Sequence, residues 1–146
     1  MKDEPTVILL VEDDPGHAEL VRRSLEESSL AKRLMHVADG QAALDYLYRQ
    51  AEFSNPEQSP RPGLVLLDLR LPKVDGLKVL QTIKSDPGLS RIPVVILSTS
   101  AAETDVANAY DRHANSYLVK PVDFSQFVAM MEALCCYWLL WNQHPC

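Results

Sequence analysis

Five side chains, far apart in the chain, could do chemistry together: Glu12, Asp13, Asp68, Ser98 and Lys120. Three are carboxylates, one is a hydroxyl and one an ammonium. Three carboxylates with no arginine among them repel one another unless a hard dication sits between them. Mg²⁺ suits such a set, because it takes oxygen ligands in octahedral geometry and keeps several waters. A carboxylate is also a nucleophile toward phosphorus and forms an acyl phosphate. A metal and a lysine can neutralise the charge of a transferring phosphoryl group, and a serine hydroxyl can donate to one of its oxygens. Asp68 is the sharpest of the five. It ends the apolar run Leu64–Leu67 and opens a loop marked by Pro72 and Gly76. A charge placed beside so much apolar surface is costly unless it is paired.

The elements that must position these groups follow from the hydrophobic pattern. Val7–Val11 is an unbroken apolar run ending in Glu12, Asp13 and Asp14, then Pro15. It predicts a buried strand and then a helix, with Asp14 as cap rather than ligand and Pro15 at the first helical position. Ala18, Leu20, Val21, Leu25 and Leu30 roughly follow helical spacing. A short strand is expected near Leu34–Ala38. A helix follows Gly40, with Ala42, Ala43, Leu44, Leu47 and Tyr48 facing inward. Residues 51–62 are polar, hold three prolines and read as a long loop. Leu64–Leu67 is the third strand, and Asp75 reads as a turn or cap residue beside Gly76. The helix from Gly76 must end before Asp86-Pro87-Gly88. Pro93–Leu97 is the fourth strand, Ser100 to Glu103 has the spacing of a capping box, and Ser116–Val119 is the fifth strand. Asp123 caps a last helix reaching about Trp141.

Five strands thus alternate with five helices, without the period-2 polarity of half-exposed strands. The fold class is α/β: an open, parallel, doubly wound sheet. In such sheets the ligand site lies beyond the carboxyl ends of the strands. The first strand ends at Glu12 and Asp13, the third at Asp68, the fourth at Ser98 and the fifth at Lys120. Thr99 and Ser100 are neighbouring hydroxyls; register favours Ser98, which directly follows the apolar run.

The chain of 146 residues is 47% apolar and 23% charged, ordinary values for one globular domain. Its net charge of −6 argues against general nucleic-acid or anionic-membrane binding. Cys135, Cys136 and Cys146 lack metal spacing and read as reduced thiols. The acidic N-terminus does not read as a signal peptide. The apolar C-terminal run is broken by Ser125, Gln126 and Glu132 and is not expected to span a membrane. The expectation is a soluble, cytoplasmic protein. His17, His36, His113 and His144 show no ligand spacing, although His17 lies one turn past Asp13.

Four pieces in order, VEDDP at 11–15, LLDLRLPKVDG at 66–76, VVILSTS at 94–100 and YLVKP at 117–121, resemble the receiver domain (CheY-like) of two-component response regulators. The resemblance covers essentially the whole chain, as one receiver domain over 1–146 with an extended C-terminal helix. It implies a flavodoxin-like strand order 2-1-3-4-5 and a set of roles. Asp68 would accept a phosphoryl group from a sensor histidine kinase. Asp13 would ligate Mg²⁺ directly and Glu12 directly or through water. Arg70 would lend its backbone carbonyl to the metal, leaving its side chain free. Ser98 would bond the phosphoryl group. Lys120 would pair with the phosphate and, without it, with Asp68. Ser98, Thr99 and Tyr117 would act as the switch, although Tyr117 also fits a plain half-buried strand tyrosine. The Lys120–Pro121 bond would be cis. The long loop 51–62, the phrase IKSDPGLSRIPVVILSTS and the aromatic C-terminal helix are similar to stand-alone response regulators of bacterial and cyanobacterial phytochromes, which implies a light-regulated kinase. Glu12 and Thr99 depart from the commonest receiver pattern, which usually has Asp and then Ala or Gly there; the bulk of Thr99 implies narrower access to Asp68 and slower phosphotransfer or loss.

The last helix carries two apolar faces. Phe124, Phe127, Val128, Met131, Leu134, Cys135 and Trp138 form a stripe expected to pack on the sheet. Met130, Ala133, Tyr137, Leu140 and Trp141 lie on another face and point to a symmetric homodimer; the alternative is that the end folds back on its own domain. Two other functions compete with the receiver reading. One is a Mg²⁺-dependent phosphohydrolase with an aspartyl nucleophile, which usually carries a second acid where Arg70 stands. The other is a receiver-like scaffold that never takes phosphate.

Overall fold

The computed structural model describes residues 6–27 and 32–142. Leu30, His144 and Cys146 lie outside the described residues. Strands β1 (Thr6–Val11), β2 (Lys32–Val37), β3 (Leu64–Leu67), β4 (Val94–Ser98) and β5 (Ser116–Val119) form one parallel sheet in the order β2-β1-β3-β4-β5. Helices α1 (Pro15–Glu26), α2 (Gly40–Leu47), α3 (Gly76–Ser85), α4 (Glu103–Asp111) and α5 (Phe124–Cys135) connect and follow them.

The central strands β1, β3 and β4 are buried on both faces, which explains their unbroken apolar runs; the edge strands β2 and β5 are half-exposed. Successive residues of a strand point to opposite sides. Leu9, Val11, Val65, Leu67, Val94 and Ile96 face a core that includes Tyr46, Leu80 and Ile83. Ile8, Leu10, Leu64, Leu66, Val95 and Leu97 face a second core with Val21, Leu25, Phe127 and Met131. Burying each such side chain contributes about 1.5–3 kcal/mol.

The predicted caps form at α1, α3 and α5. Asp14 Oδ1 accepts from the N–H groups of Gly16 at 2.8 Å and His17 at 3.2 Å. Asp75 Oδ2 accepts from Leu77 N–H at 3.3 Å. Asp123 Oδ1 accepts from Gln126 N–H at 3.0 Å. The capping box expected at Ser100 does not form. Helix α4 begins only at Glu103, after Ala102, which offers no side-chain cap. Ser100 Oγ instead donates to Asp105 at 2.5 Å.

Other expectations change at the element ends. In α2 it is Tyr46, not Tyr48, that faces the core; Tyr48 follows the helix, is exposed and donates its hydroxyl to Asp86 at 2.7 Å. The loop after α2 contains a short 3₁₀ turn, Ala51–Phe53, packed edge-on against Tyr46 through Phe53. The last helix is α-helical only to Cys135 and continues as a π-helical turn over Cys136–Trp141. Phe124, expected to pack on the sheet, is exposed at the first helical position, where the chain has not yet crossed onto the core. No described peptide bond is cis, so Lys120–Pro121 is trans; the X–Pro trans form is the more stable by about 0.5–1 kcal/mol and needs no compensation.

The segment Phe124–Trp141 is long and apolar enough, by length and composition, to cross a membrane. Five of its side chains, Phe127, Met131, Leu134, Cys135 and Trp138, are buried in the core against the sheet and α1. Cys135 and Cys136 are free thiols, and burial pushes the Cys135 thiol up.

Candidate functional site

Parallel pairing brings the carboxyl ends of β1, β3, β4 and β5 to one edge of the sheet. Glu12 and Asp13 follow β1, and the Asp68 N–H donates to Val11 at 3.1 Å, which seats Asp68 beside them. Carboxylate oxygens of Glu12, Asp13 and Asp68 all lie within 4.8 Å of one another. Glu12 is buried, Asp68 half-buried and Asp13 exposed, so the cluster opens to solvent on the Asp13 side. Ser98 ends β4 and is buried, and its backbone carbonyl accepts from the Lys120 N–H at 2.8 Å. That bond anchors the start of the lysine side chain.

The Lys120 ammonium lies inside the site. It bonds Glu12 Oε1 closely, stands 3.0 Å from His17 Nδ1 and is 3.8 Å from Asp68 Oδ2. The expected Lys120–Asp68 pair is thus the looser contact, and Glu12 is the principal partner. Burial pushes the Glu12 carboxyl above its usual value, against the pull of Lys120, and the charge of Asp68 pushes the same way. Such a crowded anionic set is chemically suited to a hard dication.

The loop after Asp68 packs against the start of α2, where the Gly40 N–H donates to the Pro72 carbonyl at 3.3 Å. Lys73 adopts a left-handed φ of 67°. Gly76 is required by close approach: a Cβ there would lie 2.2 Å from the Asp68 carbonyl oxygen. Gly40 is required likewise, since a Cβ would lie 1.8 Å from the Val74 carbonyl oxygen. The two glycines let the loop press against α2 while the Asp68 backbone rests on the start of α3.

The Arg70 side chain is not free. Its guanidinium pairs with Asp105 at 3.0 Å, and Asp105 also accepts from Ser100 Oγ. Tyr117 is half-buried and donates its hydroxyl to the Ser100 carbonyl at 2.8 Å. Thr99 is exposed. Asp105 and His36 are neighbours of the site that no motif in the sequence marks. His36 Nε2 lies 2.8 Å from the Glu12 carbonyl oxygen. Only the place of His17, one turn past Asp13, gave any signal in the sequence.

The response regulator receiver domain family matches residues 8–132. The chain belongs to this family. The receiver is 46% identical to the probable methanogenesis regulatory protein FilR2 of Methanothrix harundinacea, over 98% of this chain and 90% of that one. It is 45% identical to the response regulator Rcp1 of Synechocystis sp., over 95% of each. Among solved structures, the phosphorylated cyanobacterial phytochrome response regulator RcpA superposes with a TM-score of 0.91 at 41% identity, covering 97% of this chain and 99% of that one. The Mn²⁺-bound form of Rcp1 gives 0.89 at 44% identity, covering 97% and 100%. The receiver is therefore a two-component signalling protein related to phytochrome response regulators, and related receivers bind divalent metal.

Proposed function

We propose that this receiver acts as a single-domain response regulator, spanning 1–146, that takes a phosphoryl group on Asp68 from a sensor histidine kinase. The observation that carries this reading is the convergence of the Glu12, Asp13 and Asp68 carboxylates within 4.8 Å, with the Lys120 ammonium 3.8 Å from Asp68. In the transfer, a carboxylate oxygen of Asp68 attacks the phosphorus of a phosphohistidine. The P–N bond breaks, and the imidazole leaves and takes a proton. Glu12, Asp13, Asp68 and the Arg70 backbone carbonyl would hold Mg²⁺. When bound, that ion neutralises charge on the transferring group. Lys120 meets one phosphoryl oxygen and Ser98 another. The new charge biases Ser98, Thr99 and Tyr117, and Tyr117 passes the bias to Ser100 ahead of α4.

The kinship with RcpA supports a phytochrome kinase as donor, acting in the cytoplasm. The exposed Tyr137, Leu140 and Trp141, with Ala133 and the half-buried Met130, support a homodimer through the C-terminal helix. The phosphohydrolase reading is weaker, because Arg70 stands where such enzymes carry an acid and is engaged with Asp105.

The test is intact-protein mass spectrometry after acetyl phosphate and Mg²⁺. Wild type should gain one phosphoryl group and Asp68→Asn none. No gain from acetyl phosphate or from any kinase would favour the scaffold. Sustained turnover of a phosphate monoester that Asp68→Asn abolishes would favour the phosphohydrolase.

A further inference from the structure

His17 belongs to no motif that carries the reading above, yet its ring nitrogen lies 3.0 Å from the most buried cation of the site. An ammonium has three N–H donors and no acceptor, so beside Lys120 the Nδ1 atom is the acceptor and the ring proton sits on Nε2. One Lys120 donor goes to Glu12 Oε1 and a second to His17 Nδ1. The third is left for the Asp68 side, where Oδ2 is 3.8 Å away. That gap is too long for a direct hydrogen bond, and a phosphoryl oxygen carried on Asp68 is the group that would fill it. The imidazole is itself held in place. His17 is the third residue of α1, and its backbone N–H is bound by the Asp14 cap at 3.2 Å. Nδ1 also lies 3.9 Å from Glu12 Oε1, so the three groups form a closed triangle.

We infer that His17 is a positioning residue for phosphotransfer: its Nδ1 fixes the Lys120 ammonium so that the remaining donor faces Asp68. Glu12 cannot do this alone, because the same carboxylate also faces the metal-binding cluster. His17 is not a member of that cluster, so its hold on the ammonium does not compete with metal. The inference rests on Asp68 being the phosphorylated residue, and it adds to that reading a determinant of rate.

The experiment compares wild type, His17→Leu and His17→Asn, whose side-chain oxygen can replace Nδ1 as acceptor. The first readout is the Lys120 ammonium resonance by ¹H–¹⁵N NMR in metal-free, unphosphorylated protein. Wild type and His17→Asn should keep a slowly exchanging ammonium, and His17→Leu should exchange about tenfold faster. The second readout is the rate of phosphoryl uptake from acetyl phosphate with Mg²⁺. His17→Leu should be about fivefold slower and His17→Asn near wild type. If His17→Leu does not fold, His17→Ala replaces it at this half-exposed, first-turn position. Unchanged ammonium exchange in the Leu or Ala variant overturns the inference. So does lost protection with an unchanged uptake rate. A wild type that takes no phosphoryl group sinks the proposed function instead, and the NMR comparison still decides whether His17 holds Lys120.

Discussion

At the scale of single residues, the carboxyl midpoints of Glu12 and Glu19 should be displaced from 4.5 in opposite directions. Glu19 on α1 accepts from both Arg22 and Arg23, which hold its carboxyl down at about 2. The unfolded chain therefore binds more protons there, and the stability Glu19 contributes is present above its ordinary value of 4.5 and lost as pH falls toward about 2. The three groups are exposed, so salt should screen them and bring the midpoint back toward 4.5. Glu12 is held above 4.5, chiefly by burial. The folded state there binds the extra protons, so metal-free stability from this group falls as pH rises from 4.5 through the raised native value. Carboxyl ¹³C titration of chelator-treated protein reads both; a Glu12 midpoint at or below 4.5 would contradict the site description. Divalent metal should stabilise wild type by about 2.7 kcal/mol at a hundredfold excess over its dissociation constant, and so raise its thermal midpoint. Glu12→Gln should reduce that gain, as followed by thermal melts with and without Mg²⁺.

At the scale of elements, the joints around the site are tight. Gly76→Ala puts a methyl group against the Asp68 and Leu69 backbone. It should cost about 1–3 kcal/mol, seen in denaturant melts, and should slow phosphoryl uptake because Asp68 itself must shift. Met131, fully buried between the sheet and α1, should cost about 2–5 kcal/mol as Met131→Ala. Leu140→Ala, on the exposed π turn, should cost less than about 0.5 kcal/mol. What could be read beforehand was local. Apolar runs marked the strands, and Asp14, Asp75 and Asp123 marked helix starts because an aspartate before a helical pattern can accept from the free N–H groups of the first turn. What could not be read depended on phase or distance. Tyr46 lies on α2 and Tyr48 just past its end, and it is Tyr46 that turns in, against Phe53 from the following loop. Ser100 had capping-box spacing, but the backbone turns helical too late for the box to close, and Asp105 takes its hydroxyl. Arg70 finds Asp105 across 35 positions, and His17 finds Lys120 across 103, where no local pattern links them.

At the scale of the whole molecule, strand order did what composition could not: it gathered carboxylates, hydroxyl and ammonium at one sheet edge. The placement of Glu12, Asp13, Asp68, Ser98 and Lys120 was legible because each follows an apolar run, and parallel strands end on the same side. The choice of Glu12 over Asp68 as the main partner of Lys120 was not, since it depends on side-chain reach inside the site. The exposed C-terminal face predicts that wild type sediments as a dimer with Mg²⁺ and beryllofluoride. Trp141→Ala should lower the dimer fraction at least severalfold without unfolding the monomer, since Trp141 adds little to its own core. Equal dimer fractions in the two proteins would remove this face from the interface. Whether Asp68 carries the phosphoryl group is decided by borohydride reduction of acetyl phosphate-treated protein, then peptide mapping. Homoserine at position 68, dependent on Mg²⁺, is the predicted result; reduction at another acid, or at none, would contradict it.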